Sequence, residues 1–116
     1  ENNYGTVIVK NQTGYDILVD VMDDGWISER YLSNGSQTTY DRVSAGDISI
    51  WGYNGQNEAI EDHYLSSCEE FTFTWYTSKK KSGDGNNLYL KISVNGHVIK
   101  TVSVDDLEIV QEKPKG

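Results

Sequence analysis

The sequence predicts an all-β fold, an antiparallel two-layer β-sandwich, and three observations lead there. Aliphatic side chains are sparse, while eight Tyr, three Trp and abundant Thr, Ser, Gly and Asn give the balance of twisted sheets and turns, because branched and aromatic side chains suit a pleated surface. Short runs of alternating hydrophobicity recur between clusters of turn-forming residues. Near the end of the chain two β-prone runs flank Asn95-Gly96, the strongest hairpin signal that a short loop can carry. The 116 residues fit one domain with one modest core, taken as 5–111 with flexible termini at 1–4 and 112–116.

The elements follow in order. Residues 6–10 form a β-branched run that stops at Asn11, Gln12, Thr13 and Gly14, a first strand and a tight turn. Residues 15–22 alternate strictly, so Tyr15, Ile17, Val19 and Val21 share the core face and Asp16, Leu18, Asp20 and Met22 the other. After the turn Asp23-Asp24-Gly25, strands are expected at 26–32, 37–43 and 48–53, separated by turns at 33–36 and 44–47. This spacing is the mark of sandwiches and barrels, and about seven to nine strands of an immunoglobulin-like or transthyretin-like kind are expected.

Residues 54–67 break the rhythm. They permit a helical turn or two, with Asn57 as a cap, and read as a crossover between sheets. The strand at 69–77 then sets Phe71, Phe73 and Trp75 on the core face against Thr72, Thr74 and Tyr76. Residues 88–94 bring Leu88, Leu90 and Ile92 to the core, and 98–104 complete the hairpin. A two-residue loop would set Lys91 directly against Lys100, a repulsive pair. A three-residue loop with Gly96 left-handed in a bulge shifts the register by one and relieves it, so the bulged loop is expected. Residues 107–111 add an edge strand.

Gly5, Val7, Val9 and Asn11, then Val19 and Val21, the turn at Gly25, and Gly46, Ile48 and Ile50 together resemble the strand and turn spacing of PEGA-type and carboxypeptidase-regulatory-like sandwich domains, and of small secreted bacterial lipoproteins. The resemblance covers the first half of the chain. It lacks the proline and Val-Asp-Gly elements of PEGA repeats, and it implies a surface or envelope accessory module without catalysis. No site residue carries over from it.

A formal charge of −8 repels phosphate backbones and anionic headgroups, so no nucleic acid is expected, and no apolar run approaches membrane-spanning length, so direct membrane insertion is not expected either. The basic run Lys79 to Lys81 reads as a solvated loop tip. Cys68 is the single cysteine, leaving it buried, free or paired between chains. The stretch Leu65-Ser66-Ser67-Cys68 imitates a lipoprotein cleavage box, but Glu58, Glu61 and Asp62 precede it where an apolar segment is required. The polar start at Glu1 suits a processed export product or a trimmed chain, and an extracellular or cell-envelope setting is the expectation.

Zincin, nucleophile-elbow, phosphate-loop and paired Cys-x-x-Cys signatures are absent from the sequence, so no enzyme activity and no cofactor are expected. His63 and His97 lack enough convergent ligands for zinc and read as surface histidines. Asp20 to Gly25 fails as an EF-hand, with Met22 and Tyr31 at ligand positions. Asp84, Asn86 and Asn87 read as turn chemistry before calcium. The carboxylates Glu58, Glu61, Glu69 and Glu70 read as solvated charges, and the sequons at Asn11 and Asn34 as chance.

One feature points toward binding. Trp51 and Tyr53 alternate with Ile48 and Ile50, so inward isoleucines imply outward aromatics about 7 Å apart. Such rings can stack on a sugar or on a protein side chain, and Tyr76, Tyr89 and Thr74 would extend the surface if their strands lie alongside. The competing expectation is that the 54–67 crossover folds over the rings as a second small core. The function expected is thus a non-catalytic module binding carbohydrate or protein through Trp51, Tyr53, Tyr76 and Tyr89, with a structural component working through sheet edges or faces as the alternative.

Overall fold

A computed structural model describes residues 3–55, 58–79, 86–103 and 108–110. They form ten strands: β1 (Tyr4–Gln12), β2 (Ile17–Met22), β3 (Arg30–Leu32), β4 (Gln37–Ser44), β5 (Gly46–Tyr53), β6 (Glu58–Leu65), β7 (Glu70–Lys79), β8 (Asn86–Val94), β9 (His97–Ser103) and β10 (Glu108–Val110). The first sheet runs β4-β1-β7-β8-β9 and the second β10-β6-β5-β2-β3. The all-β sandwich expected from the sequence is the fold. Its pairs are antiparallel except one, since β1 and β7 run parallel at the centre of the first sheet, with Val7 opposite Phe71 and Val9 opposite Phe73. Tyr4, assigned from the sequence to the leading tail, opens β1.

Alternation makes the core. Val7, Val9, Ile17, Val19, Val21, Ile48, Ile50, Phe71, Phe73 and Trp75 are all buried in one cluster between the sheets, together with Leu32, Tyr40, Val43, Ala59 and Leu65. The side chains of Leu88, Leu90 and Ile92 lie outside the described residues. Tyr15 departs from the expectation: it sits in the turn before β2 and is 36% exposed. Its turn is shaped by Asn11, fully buried, whose Nδ2 donates to the carbonyls of Tyr15 (2.8 Å) and Leu32 (2.9 Å) and whose Oδ1 accepts from Thr13. Every polar atom of that amide is used, which offsets the cost of burying it. So engaged, Asn11 is no glycan acceptor.

Three further corrections are topological. The described residues of 54–67 hold no helical turn and form no crossover, because β6 hairpins back along β5 in the same sheet, with Ile50 opposite Glu61 and Trp51 opposite Ile60; Gln56 and Asn57 lie outside the described residues. The actual return to the first sheet is the short turn 66–69. The expected turn at 44–47 shrinks to Ala45, where the chain passes from β4 to β5 with Gly46 at φ +121°, a conformation favouring glycine. The run 26–32 yields only the three-residue β3 and a lone bridge from Trp26 to Met22.

The β8–β9 hairpin solves the lysine conflict differently from the expected loop. Its loop has two residues, Asn95 (φ +49°) and Gly96 (φ +87°), between the pair Val94 and His97. The register then shifts between Ile92 and Ser93, leaving Ile99 as the extra residue, and beyond it Lys91 faces Thr101 while Lys100 faces Ile92. Gly96 is left-handed as expected, but the bulge sits in β9.

Candidate functional site

The outer face of the second sheet gathers aromatic side chains because alternation and register agree. Leu18 pairs with Tyr31 on one side and Tyr53 on the other, Asp20 pairs with Trp51, and Tyr53 pairs with Glu58. Strands β3, β2 and β5, at one side of the sheet, therefore carry the row Tyr31, Leu18, Tyr53, with Trp51 two residues along β5. Trp51 and Tyr53 are stacked as expected, centroids 6.3 Å apart and planes 11° apart.

Trp51, however, is no platform. It is only 3% exposed, and what covers it is not the 54–67 segment but the loop 23–29. Trp26 packs edge-on against it at 6.5 Å and 69°. That loop is tied down by Ile27 N donating to Val21 O (2.9 Å), by Ser28 N donating to Asp20 Oδ1 (2.9 Å), and by the Tyr40 hydroxyl donating to Ser28 O (2.7 Å). Buried Asp20 thereby becomes a loop anchor, its Oδ1 also accepting from Val21 N at 2.7 Å. The sequence signal for this cover was the apolar pair Trp26-Ile27 directly after a turn.

Tyr53 is half-buried and Tyr31 exposed. Between and beside them lies a cleft of about 200 Å³ lined by Asp16, Ile17, Leu18, Tyr31, Tyr53, Asn54 and Gly55. The Tyr31 hydroxyl donates to Asp16 Oδ2, and Asn34 N donates to Asp16 Oδ1 at 3.2 Å. The hydrogen bond to Asp16 holds the Tyr31 phenol protonated above its ordinary range, with burial and the Asp16 charge adding to the shift. Asp16, Leu18 and Tyr31 were not singled out as site residues, because a site contributed by three strands is visible only once register is known.

Tyr76 and Tyr89 do not extend this surface. They pair with each other across β7 and β8 in the first sheet, on the far layer of the sandwich from Trp51 and Tyr53. Tyr76 is half-buried with Lys91 Nζ 5.8 Å from its ring centre; the side chain of Tyr89 lies outside the described residues, as do Asp84 and the side chains of Asn86 and Asn87.

A second polar cluster secures the turn 66–69. His63, with 17% of its side chain exposed, is not the surface histidine expected: its Nε2 meets Glu69 Oε2 at 2.7 Å, and its ring stacks on Phe71 at 3.6 Å and 13°. Glu69 Oε1 accepts from Ser66 N (2.9 Å), so the 7%-exposed carboxylate is no solvated charge. Glu58 is likewise buried. Cys68 is exposed and free. Among the described residues no three His, Cys, Asp or Glu side chains converge as metal ligands. Comparison with protein-family models, curated proteins and solved structures matched nothing.

Proposed function

We propose that this chain is a non-catalytic binding module of the cell exterior or envelope, taking a saccharide or a protein side chain on the outer face of its second sheet. The observation that carries this reading is the row Tyr31, Leu18, Tyr53 with the cleft between its aromatic walls. Its parts are held before any ligand arrives: Tyr53 against Trp51, and Tyr31 by Asp16. Prior ordering of this kind lowers the entropic cost of binding. The setting outside the cytoplasm, as a secreted chain or a lipid-anchored precursor, rests on the resemblance to PEGA-type and secreted lipoprotein modules.

Of the alternative, a structural component acting through sheet edges or sheet faces, the edge route is disfavoured by how those edges end. In β4, Asp41 and Arg42 together face Thr6 in a bulge, between the pairs Gly5 with Val43 and Val7 with Tyr40. Ile99 bulges out of β9, and β3 and β10 have three residues each. Bulges, edge charges and short edge strands all discourage strand addition. A glycan array and a pull-down on the purified chain, with binding mapped by amide chemical shifts, test the proposal. Shifts centred on Leu18, Tyr31 and Tyr53 are expected; a ligand mapping to β4, β9 or the outer face of the first sheet would overturn it.

A further inference from the structure

We infer that the Tyr31–Tyr53 cleft is a receptor for a cation, the lysine or arginine side chain of a basic protein surface. The inference rests on the proposed binding face and names its partner. Three features of the cleft select this chemistry. Strands lie about 4.8 Å apart, so Tyr31 and Tyr53, one on each side of β2, are separated at the backbone by roughly 10 Å. A group seated over Leu18 is then about 5 Å from each wall, inside the ~6 Å over which an ammonium or guanidinium is attracted to an aromatic face.

The second feature is the carboxylate. Asp16 stands at the cleft, held by the Tyr31 hydroxyl and Asn34 N, and a carboxylate has lone pairs left after two such bonds for a charged donor. None of the lining residues is basic, so no cation in the wall neutralises it. Arg30, next to Tyr31 on β3, is engaged elsewhere: it donates to Thr38 and Thr39 and lies over Tyr40. Third, the floor is Leu18 and the lining otherwise offers few polar groups, which suits an aliphatic stem with a charged end. A pyranose would present hydroxyls all round to walls with little to receive them, and an anion would meet Asp16 and a chain of charge −8. The same net charge draws a basic protein toward the face from a distance, whereas a small amine profits from that field only once. The volume, about 200 Å³, is below that of a drug-sized pocket and admits one side chain.

The test is an amide chemical-shift titration of the full chain at low salt with four probes: a glycine peptide carrying two lysines, the same peptide with norleucine for lysine, methyl glucoside, and choline. The lysine peptide should shift residues around Asp16, Leu18, Tyr31 and Tyr53, bind at least about tenfold more tightly than the norleucine peptide, and weaken as salt is added. Asp16→Asn should weaken it by about tenfold. Tyr53→Leu, which keeps the bulk and removes the π face, serves as the second variant, with a similar loss expected. Equal binding of the norleucine peptide would overturn the cation assignment, and choline binding more tightly than the peptide would overturn the protein source. Methyl glucoside shifting the cleft while the lysine peptide does not would also overturn it and leave the binding face standing. If no probe and no arrayed glycan or pulled-down protein shifts that face, the proposed function falls with it.

Discussion

The two outer faces of this sandwich are built on the same alternation and have opposite character. On the first sheet, Thr72, Thr74 and Tyr76 of β7 lie beside Ile8 and Lys10 of β1 and Lys91 of β8, a mixed surface in which Tyr76 has Lys91 near its ring and Tyr4 has Arg42 over its ring. On the second, Trp26 packs edge-on against Trp51, Trp51 stacks on Tyr53, and these rings run into the row Leu18 and Tyr31. The difference teaches that the second sheet is packed on both sides: its inner face builds the main core, and part of its outer face is sealed by the loop 23–29. The end between Tyr53 and Tyr31 is left open as a cleft. An ordinary solvated face has no need of a tryptophan buried to 3% exposure.

The largest effect expected from breaking this arrangement comes from the layer beneath the stack. Gly52 lies between Trp51 and Tyr53 with its hydrogens toward the core, and a Cβ built there would fall 2.2 Å from Cζ2 of Trp75. Trp75, on β7, spans the interior to reach β5, so Gly52→Val should cost at least about 3 kcal/mol in chemical denaturation. Trp75→Phe in the same chain should recover part of the loss. A neutral Gly52→Val would mean that the two sheets are not packed at this spacing.

Next in size is the contrast between the faces themselves. Trp51→Ala should destabilise by about 3 kcal/mol, the cost of a large ring removed from a closed site, whereas Tyr76→Ala, which loses a half-exposed ring and one lysine contact, should cost about 1 kcal/mol or less. Iodide should correspondingly quench Trp51 and Trp75 poorly. If the two alanine variants were equally mild, loop 23–29 would not be a cover and the faces would be equivalent. A smaller effect, of about 1 kcal/mol, is expected for Gly96→Val, since a branched side chain at φ +87° is strained whatever its neighbours.

How far the sequence reached follows from the range of the forces involved. Period-two alternation is local, and it located the inward sets of β2, β5 and β7 and the outward direction of Trp51 and Tyr53. The lysine conflict in the last hairpin is also nearly local, and it correctly required a register shift between Lys91 and Lys100; placing the bulge at Ile99 rather than in the loop depends on which strand is at the edge and free to bend. Residues 54–67 misled because Glu58, Glu61 and Asp62 interrupt any clean alternation. Two of those acids face partners supplied by tertiary structure, Lys100 for Glu61 and Ser49 for Asp62, while Glu58 is buried beside Tyr53. The cleft was out of reach for a related reason: Asp16, Leu18, Tyr31 and Tyr53 come from three strands and the turn before β2, and their meeting is a property of register. Tyr76 and Tyr89 extend the Trp51–Tyr53 surface only if their strands neighbour β5, and sheet assignment separates them.

The smallest effect falls on the cleft and isolates one bond. The Tyr31 phenol is held above the usual tyrosine range first by its hydrogen bond to Asp16, then by burial and by the Asp16 charge, and all three act in the same direction. As pH rises past about 10, where free tyrosines ionise, Tyr31 should therefore keep its proton, and ultraviolet titration should show its step late. Asp16→Asn keeps the shape of the group but removes the carboxylate charge and most of the acceptor strength, so the Tyr31 step should move down toward the ordinary range. A folded-state value above the unfolded one favours the folded chain below about pH 10 and loses that contribution as pH climbs through the folded value. Both groups lie at the surface, where such a bond contributes little to stability, so the denaturation midpoint of Asp16→Asn at neutral pH should stay near that of the parent. A midpoint that fell sharply would make Asp16 a structural anchor like Asp20. An unmoved Tyr31 step would mean that the two side chains do not meet, and that the wall of the cleft nearest β3 is not fixed before a ligand enters.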